Sequence, residues 1–368
     1  MSERQRRLNR REAIGLIGAS AAVGIVSASR SGGGFFDWGL EAAAAPQFPK
    51  GAIIRTVLKD LPPDALSKGA TLFHEHLSLT SPYPYQAPPS RPVPPHVTSD
   101  VDLMIEEVRA ATREGIVCYV DGGHPDMGRS IDALKRISTA TGLQIVASGG
   151  YYTQSAYPPE IAKMSEEAIT ELLVKEARRD HLGAFGEIGS SEQMTPDERK
   201  VFRAIGKAHL RTNIPIFTHN AYTGSLGRSG PSENALEQLD LFESLGVKPA
   251  HVVIGHLCCK QDTGMHKAIA KRGAWVGFDR IGLVQTMPDE ERVKMVLAML
   301  EAGYADRLLF AGDGPFRPWL KKEGGPGLAQ VVTRFLPMLR KAGVKDETLH
   351  TITVDNPRRF LAFAPRNA

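Results

Sequence analysis

Short apolar segments alternate with helical patterns eight times along this chain, and this alternation limits the possible folds more than any other feature of the sequence. The apolar segments are rich in β-branched residues and lie at residues 70–73, 116–121, 143–149, 183–188, 214–219, 252–256, 274–279 and 307–311. Strands that are buried on both faces have this composition. Helical patterns follow them at residues 100–114, 130–141, 166–179, 196–213, 233–245, 263–272, 289–303 and 328–343.

Regular alternation of strand and helix predicts a parallel sheet. Eight such units favour closure into a (β/α)8 TIM barrel, an α/β fold, over an open sheet. A further strand-like segment at residues 53–58 predicts a short N-terminal strand extension, and a helix near residues 347–361 is expected to pack on the outside. We therefore expect residues 46–368 to form a single (β/α)8 domain.

The first 45 residues have the pattern of an export signal and are kept apart from the fold prediction. Arg10 and Arg11 form a twin-arginine pair, residues 13–28 are mildly apolar, and residues 42–45 are alanines that suit a cleavage site. We predict that residues 1–45 are a twin-arginine export leader. The protein is then expected in the periplasm or otherwise exported, and it meets the membrane only transiently. The alternative is an ordinary basic amphipathic terminus.

The charge of the chain argues against nucleic-acid binding, and its cysteine content argues against a structural role for cysteine. The formal net charge is only +4 and six arginines lie in the first 45 residues, so the sequence has no basic stripe of the kind that binds nucleic acid. Cys118, Cys258 and Cys259 supply neither a disulfide framework nor a cysteine-based zinc site. The expected partner is a small-molecule substrate.

His74 and His76 stand at the end of the first predicted strand, in the segment TLFHEH at residues 71–76. In a strand, side chains at i and i+2 point to the same face. Both imidazoles can therefore reach one metal ion. Taken alone, the pair also fits two surface or core histidines, so its meaning depends on the residues at the ends of the other strands.

The carboxyl ends of barrel strands carry the catalytic groups of TIM-barrel enzymes. Here those ends carry four histidines and two carboxylates: His74, His76, Glu187, His219, His256 and Asp313. Nitrogen and oxygen donors without cysteine suit zinc, the favoured ion, or manganese, cobalt or iron. Six ligands are too many for one tetrahedral ion. They suit two divalent ions that share a bridging carboxylate and a bridging water, whose pKa falls to near neutrality.

Other strand ends carry polar residues with less defined roles, namely Asp121, His124, Tyr151, Tyr152, Asp279 and Arg280. The remaining histidines, including His96, are interpreted as loop, helix or strand-start residues. His124 is the exception that could support a metal ligand.

The chain resembles the phosphotriesterase family of the amidohydrolase superfamily over residues 53–363, in particular phosphotriesterase homology proteins and phosphotriesterase-like lactonases. The motifs that carry the resemblance are TLFHEH, IPIFTH, VIGH, VGFDR, LFAGD and TVDNP. The resemblance implies that His74, His76 and Asp313 hold the more buried ion, and that His219 and His256 hold the more exposed one. Asp313 would also act as a general base. Lactonases of this family are often dimers, so a homodimer is compatible with the resemblance.

Two features depart from the better-known members of that family. Those members bridge their metals with a carboxylated lysine, where this chain has Glu187, as some phosphotriesterase homology proteins do. The triesterases relay protons through an aspartate and a histidine, where this chain has Cys259 and Arg280. Arg280 and Tyr152 match instead an arginine and a tyrosine of the related lactonases. The alternatives are a rim salt bridge for Glu187, a loop salt bridge for Arg280 and a packing role for Tyr152.

The expected function is that of an exported binuclear metal-dependent hydrolase, in which a bridging hydroxide attacks the carbonyl of a lactone or carboxylic ester. Asp313, Tyr152 and Arg280 are the expected catalytic residues. The alternatives are a phosphotriester or phosphoester hydrolase, an amidase, and a metal-binding protein without turnover. Substrate choice is expected to lie in loops at residues 81–95, 151–159, 222–231 and 314–327, the last two Gly-rich and mobile. Trp319 either walls the pocket or packs on the surface.

Overall fold

The computed structural model describes residues 46–79, 96–222 and 233–366, and all of these belong to one compact unit. The predicted leader at residues 1–45 lies outside the described residues, as do the predicted loop at residues 81–95 and nearly all of the loop at residues 222–231. Within the described part of the chain, no helix combines the length and the apolar character needed to cross a membrane.

A short antiparallel ribbon precedes the barrel. It consists of β1 (Ile54–Arg55) and β2 (Asp60–Leu61). Next to it, Ile53 and Phe363 exchange backbone hydrogen bonds of 2.9 and 3.0 Å, which join the start of the barrel domain to its end. This ribbon is the predicted N-terminal strand extension.

Among the described residues, eight parallel strands form the barrel wall, and each pairs with the next strand in sequence. They are β3 (Ala70–Glu75), β4 (Ile116–Asp121), β5 (Gln144–Gly149), β6 (Ala184–Gly189), β7 (Ile216–His219), β8 (Val252–Ile254), β9 (Trp275–Phe278) and β10 (Leu308–Phe310). The first and last strands meet at their carboxyl ends. There the Asp313 N–H donates to the His74 carbonyl at 3.1 Å, and the His76 N–H donates to the Gly314 carbonyl at 2.6 Å. The predicted (β/α)8 TIM barrel is confirmed.

Amphipathic helices cover the outside of the barrel. Those in the described ranges are α1 (Val101–Arg113), α2 (Ile131–Thr141), α3 (Glu166–Arg179), α4 (Pro196–Thr212), α5 (Glu233–Ser244), α6 (Thr263–Lys271), α7 (Asp289–Glu301), α8 (Leu336–Lys341), α9 (Asp346–His350) and α10 (Asn356–Leu361). Side-chain caps begin several of them: Asp100 accepts the Leu103 N–H, and Thr195 forms a capping box with Glu198. Such caps make helix starts predictable from sequence.

Two helical regions near the C-terminus contain wider turns than predicted. The helix expected at residues 328–343 is a π-helical segment, Val331–Phe335, followed by α8, and a second π-helical segment, Thr351–Asp355, joins α9 to α10. Pro337 and Pro357 are the second residues of α8 and α10. Because proline has no N–H to donate to the carbonyl four residues back, the regular α-helical pattern breaks at these points.

Aromatic side chains fill the barrel interior below the rim that carries the predicted ligands. Phe73 of β3 and Phe217 of β7 are completely buried and meet across the barrel, with ring centroids 6.2 Å apart. Burial of such a side chain stabilises the fold by roughly 1.5–3 kcal/mol. Strand β3 continues to Glu75, two residues beyond its predicted end, so His74 lies within the strand. The packed interior leaves the rim as the place for chemistry.

Candidate metal centre

The six predicted metal ligands meet at the carboxyl-end rim of the barrel, and none of the six is more than 6 % exposed. Among the described residues, their ligand atoms fall into groups that could each hold an ion. One group is His74, His76, Glu187 and Asp313, and another is Glu187, His219 and His256. Glu187 belongs to both groups, as a bridging carboxylate would. A third group, His74, His256 and Asp279, draws on both of the others, so the division between two ions stays a prediction from the family resemblance.

The first group places two imidazole nitrogens against two carboxylates. His76 Nε2 lies 3.0 Å from Asp313 Oδ1 and 3.1 Å from Glu187 Oε1. His74 Nε2 lies 3.4 Å from Glu187 Oε2 and 3.5 Å from Asp313 Oδ1. Four donors of this kind converge as ligands of one divalent ion would.

The second group lies against Oε2 of Glu187, the oxygen that His74 also faces. That oxygen lies 2.9 Å from His219 Nδ1 and 3.4 Å from His256 Nε2. The two histidine nitrogens are themselves 2.7 Å apart, so at most one proton can lie between them. An ion bound here would take the place of that proton.

Buried atoms without partners test whether this set of donors fits a metal. His74 Nε2 and His76 Nδ1 are buried and have no hydrogen-bond partner among the described residues. An unsatisfied buried polar atom costs roughly 1–3 kcal/mol. His74 Nε2 faces oxygens of Glu187 and Asp313 at 3.4 and 3.5 Å, where an ion could bind between them. The residues present therefore fit two divalent ions.

The backbone at two of the candidate ligands is strained. His256 and Asp313 have φ angles of 57° and 53°, in the left-handed region that non-glycine residues rarely adopt. Such strain persists where the surroundings demand a particular side-chain position. Gly122 is required for a different reason, because a Cβ there would lie 2.9 Å from the His74 ring and 3.1 Å from the His76 ring.

Burial and charge set the protonation of the metal-free site. Burial alone lowers the pKa of His76, but hydrogen bonds to Asp313 and Glu187 outweigh it and raise the pKa to about 9. Burial and Arg280 lower the pKa of His256, yet Asp279 and Glu187 raise it to about 9. Metal ligation requires neutral imidazoles, so protons compete with metal ions for these two residues.

Zinc affinity is therefore expected to fall as the pH falls below about 9. With pKa values of about 9, His76 and His256 are expected to carry a proton in the metal-free protein at pH 7 and to lose it when a metal ion binds. The apparent affinity should rise about tenfold per pH unit for each proton released. Calorimetric titrations between pH 6.5 and 8, in buffers of different ionisation enthalpy, measure the protons released. The His76→Ala variant should release one proton fewer, and a pH-independent affinity would contradict the assignment.

Arg280 and Tyr152 both reach the candidate ligands. Arg280 Nη2 lies 2.8 Å from Asp313 Oδ2. Burial raises the pKa of Asp313, but Arg280 and His74 outweigh burial and hold it below the ordinary value. The Tyr152 hydroxyl lies 3.2 Å from the ring nitrogens of His219. Arg280 thus forms its salt bridge inside the site, and Tyr152 presents its polar end to a candidate ligand.

A pocket of about 440 Å³ opens over these groups. Apolar side chains form much of its wall: Leu79, Met127, Leu283, Pro315 and Phe316. Trp319 is not among the described lining residues. It is buried behind Phe316, with ring centroids 5.0 Å apart, so it supports the wall from outside. The pocket therefore combines a charged floor with apolar sides.

Glu75 has a supporting role that the sequence analysis missed. Its Oε1 accepts the Gly312 N–H at 2.7 Å and its Oε2 accepts the Gly314 N–H at 3.0 Å, one on each side of Asp313. Burial raises the pKa of Glu75 to about 8. Strand alternation points Glu75 away from its histidine neighbours. A carboxylate inside an otherwise apolar strand was the available signal.

The loop at residues 314–327, predicted to be mobile, is anchored by hydrogen bonds from its backbone N–H groups to buried glutamate side chains. Glu107 on α1 accepts the N–H groups of Lys321 and Lys322 at 2.9 and 3.0 Å. Together with the Glu75 contact to Gly314, this holds the loop at its start and near its middle. The loop can therefore present a defined pocket wall.

Two further histidines lie close to the site. His124 Nε2 donates to the Glu187 carbonyl at 3.0 Å, and its Nδ1 contacts Asp126. Burial lowers the pKa of His124, but Asp126 outweighs it and raises the pKa. His96, interpreted from sequence as a loop residue, lines the pocket. The strand-end rule does not reach His96, because a long segment separates it from β3.

A TIM-barrel rim that brings together four histidines, a glutamate and an aspartate is typical of metal-dependent hydrolases. The chain belongs to the phosphotriesterase family, whose sequence profile matches residues 55–361. Homologues in this family, such as aryldialkylphosphatase and lactonase, are metal-dependent hydrolases.

Relatives of known name support this placement. The chain is similar to the phosphotriesterase homology protein of Escherichia coli, at 29 % identity over 306 residues, covering 79 % of this chain and 97 % of the relative. It is similar to the aryldialkylphosphatase of Saccharolobus solfataricus, at 28 % identity, covering 80 % and 95 %. Among solved structures, a lactonase from Listeria monocytogenes matches with a TM-score of 0.72 and 26 % identity, covering 84 % and 98 %.

Proposed function

We propose that this protein is a binuclear metal-dependent hydrolase that opens a lactone or cleaves a carboxylic ester. The observation that carries the proposal is the position of Glu187, whose two oxygens face both groups of candidate ligands beneath the pocket. The pairing of Arg280 with Asp313 and the placement of Tyr152 support a carbonyl substrate. A matching structure named as a lactonase supports the same substrate class.

The proposed residues divide into two sets of ligands around Glu187. His74, His76 and Asp313 would hold the more buried ion, and His219 and His256 the more exposed one. When bound, the two ions would supply a hydroxide from water near neutral pH and polarise the carbonyl under attack.

Three side chains of the chain itself would assist the reaction. Asp313 would accept the proton of the attacking oxygen and return it to the leaving alkoxide oxygen as the acyl C–O bond breaks. Arg280 keeps Asp313 ionised through the 2.8 Å contact and offers donors to a carbonyl or carboxylate oxygen. The Tyr152 hydroxyl orients the leaving oxygen. The apolar wall, with Leu283 and Phe316, excludes water around the acyl part of the substrate.

Phosphotriester hydrolysis is the second candidate, because one relative is named an aryldialkylphosphatase. The proton relay of the triesterases has no counterpart here. Cys259 occupies one of its positions and is buried with its Sγ 3.7 Å from Thr286 Oγ1, and Arg280 occupies the other. We therefore expect lactones and carboxylic esters to be the better substrates.

A substrate panel tests the proposal. Zinc-loaded and manganese-loaded protein would be assayed against a γ-lactone, a δ-lactone, an aryl acetate, an aryl dialkyl phosphate and an N-acyl amide. Hydrolysis of a lactone or ester, lost in His219→Ala and kept in His251→Ala, supports the proposal. His251 precedes β8, at the opposite end of the barrel. A preference for phosphotriester or amide, or no turnover by protein with two bound ions, would reject the proposed substrate class.

Metal loading is expected to be indifferent to bicarbonate. A glutamate bridge needs no carbon dioxide, whereas a carboxylated lysine must acquire it. Metal-free protein reconstituted with zinc in degassed buffer, with and without added bicarbonate, should reach the same metal content and activity at the same rate. A clear bicarbonate requirement would contradict the assignment of Glu187 as the bridge.

Export is proposed on the basis of Arg10 and Arg11 and the apolar, alanine-ending segment that follows them. Export of a folded protein would suit an enzyme that acquires its metal during folding. Cell fractionation of the wild type and of the Arg10→Lys/Arg11→Lys variant is the measurement. Equal periplasmic amounts of the two would contradict the proposed pathway.

A further inference from the structure

Asp279 follows strand β9 and contacts two histidines that belong to different groups of candidate ligands. Its Oδ2 lies 2.9 Å from Nδ1 of His74, and its Oδ1 lies 3.1 Å from Nδ1 of His256. The same Oδ1 accepts the backbone N–H of His256 at 2.7 Å. Asp279 is completely buried, so these contacts take the place of water around its carboxylate.

In the neutral imidazoles that bind a metal ion, these contacts determine which ring nitrogen carries the proton. An ionised carboxylate can only accept hydrogen bonds, so His74 and His256 both present Nδ1–H to Asp279. The opposite tautomer would set an imidazole lone pair against a carboxylate oxygen. Arg280 Nε also lies 3.3 Å from His256 Nδ1, but the contact to Asp279 is shorter.

Both histidines consequently direct Nε2 toward the shared glutamate. Nε2 of His74 and Nε2 of His256 each lie 3.4 Å from Glu187 Oε2. The two rings are nearly parallel, with centroids 5.5 Å apart and an angle of 17° between their planes. His76 differs, because its Nδ1 has no partner among the described residues.

We propose that Asp279 is a positioning residue that couples the two ion sites, because one carboxylate prepares a ligand for each ion. The inference rests on the proposed binuclear function. The close packing around Asp279 supports it. Gly255 leaves the room it needs, since a Cβ there would lie 2.9 Å from Asp279 Oδ2 and 2.0 Å from the Thr218 carbonyl oxygen.

Replacing Asp279 by asparagine should affect the two ion sites differently. An amide has one oxygen that accepts and one NH2 group that donates. The oxygen must stay where it accepts the fixed backbone N–H of His256, so His256 keeps Nδ1–H. The NH2 group then faces His74 and forces the proton of that ring onto Nε2. Asp279→Asn should therefore disable the more buried site and leave the more exposed one.

Zinc content is the first measurement. Wild-type protein, Asp279→Asn and the control Glu107→Gln would be equilibrated with a zinc buffer and analysed for bound zinc per chain. Glu107 is a buried carboxylate on α1 that accepts backbone N–H groups away from the candidate ligands. We expect two ions for wild type and Glu107→Gln. For Asp279→Asn we expect one tightly bound ion at the more exposed site. The zinc affinity of the more buried site should fall by about 10–100-fold.

The outcomes separate this inference from the proposed function. Wild type with fewer than two zinc ions would reject the binuclear function itself. Wild type with two ions, together with a folded Asp279→Asn protein that binds two ions at unchanged affinity, would overturn the coupling role of Asp279.

A second measurement needs no variant to fold. In zinc-loaded wild type, ¹⁵N NMR of the histidine side chains should show Nδ1–H and Nε2 ligation for both His74 and His256. Ligation of either ring through Nδ1 would overturn the inference. In a folded Asp279→Asn protein, His74 should instead carry its proton on Nε2, while His256 is unchanged.

Discussion

Replacing Glu187 by glutamine is expected to lower kcat/KM at least about 10³-fold, because several kcal/mol of transition-state stabilisation depend on the two ions that this carboxylate would join. Glu187 Oε2 lies 2.9 Å from His219 and 3.4 Å from His74. Its Oε1 lies 3.1 Å from His76. Glutamine keeps the size of the side chain but removes its charge and one acceptor oxygen. The pKa of Glu187 is consistent with this role: burial raises it, but His74 and His219 outweigh burial and hold it well below the ordinary value.

The Glu187→Gln experiment needs both activity and metal content. Activity would be measured on the best substrate of the panel, and bound zinc would be measured per chain. The control is Glu107→Gln, in which another buried carboxylate becomes an amide. We expect Glu107→Gln to keep both ions, because Glu107 lies away from the candidate ligands, and Glu187→Gln to lose at least one ion. Two ions in Glu187→Gln, with activity within tenfold of wild type, would show that Glu187 is a rim salt-bridge residue and not the bridge.

Replacing Asp313 by asparagine is expected to lower kcat by about 10²–10⁴-fold, the range typical for loss of a general acid or base. Asparagine cannot accept the proton from the nucleophile, and it offers Arg280 no negative charge in place of the 2.8 Å ion pair. Asp313 is also a candidate ligand beside His76. Some loss of zinc affinity should therefore accompany the loss of rate.

Asp121→Asn is the matched control for Asp313→Asn. Asp121 is completely buried at the end of β4 and accepts the N–H groups of Leu77 at 2.6 Å and Gly123 at 3.0 Å. Its loss should reduce stability more than rate. If activity under saturating zinc fell equally in both variants, the proton-accepting role of Asp313 would be contradicted.

The fold was predictable because its signals are local. Eight apolar segments with helical patterns between them define a parallel barrel, although β3 runs two residues beyond its predicted end. The i, i+2 rule then placed His74 and His76 on one face, and the strand-end rule added Glu187, His219 and Asp313. The prediction of regular α-helices near the C-terminus was wrong, and the cause is also local. Pro337 and Pro357 produce wider turns that a periodic apolar pattern does not reveal.

The supporting contacts of the site were not predictable from one sequence. Asp279 was recognised as a strand-end residue, but its partners are His74 on β3 and His256 just after β8, and their identity depends on how the barrel closes. Glu75 reaches the turn around Asp313 for the same reason. His96 reaches the pocket through a segment whose path the strand pattern does not specify. Register and closure, which are properties of the whole barrel, decide these contacts.

Titration of metal-free protein with zinc, while hydrolysis of the best lactone or ester of the panel is followed, tests the central claim most directly. Two ions that act together across Glu187 predict no activity without metal and a rise that levels off at two zinc ions per chain. Excess chelator should abolish the activity, and renewed zinc should restore it. Hydrolysis that survives complete removal of metal, or full activity reached at one ion per chain, would contradict the binuclear account.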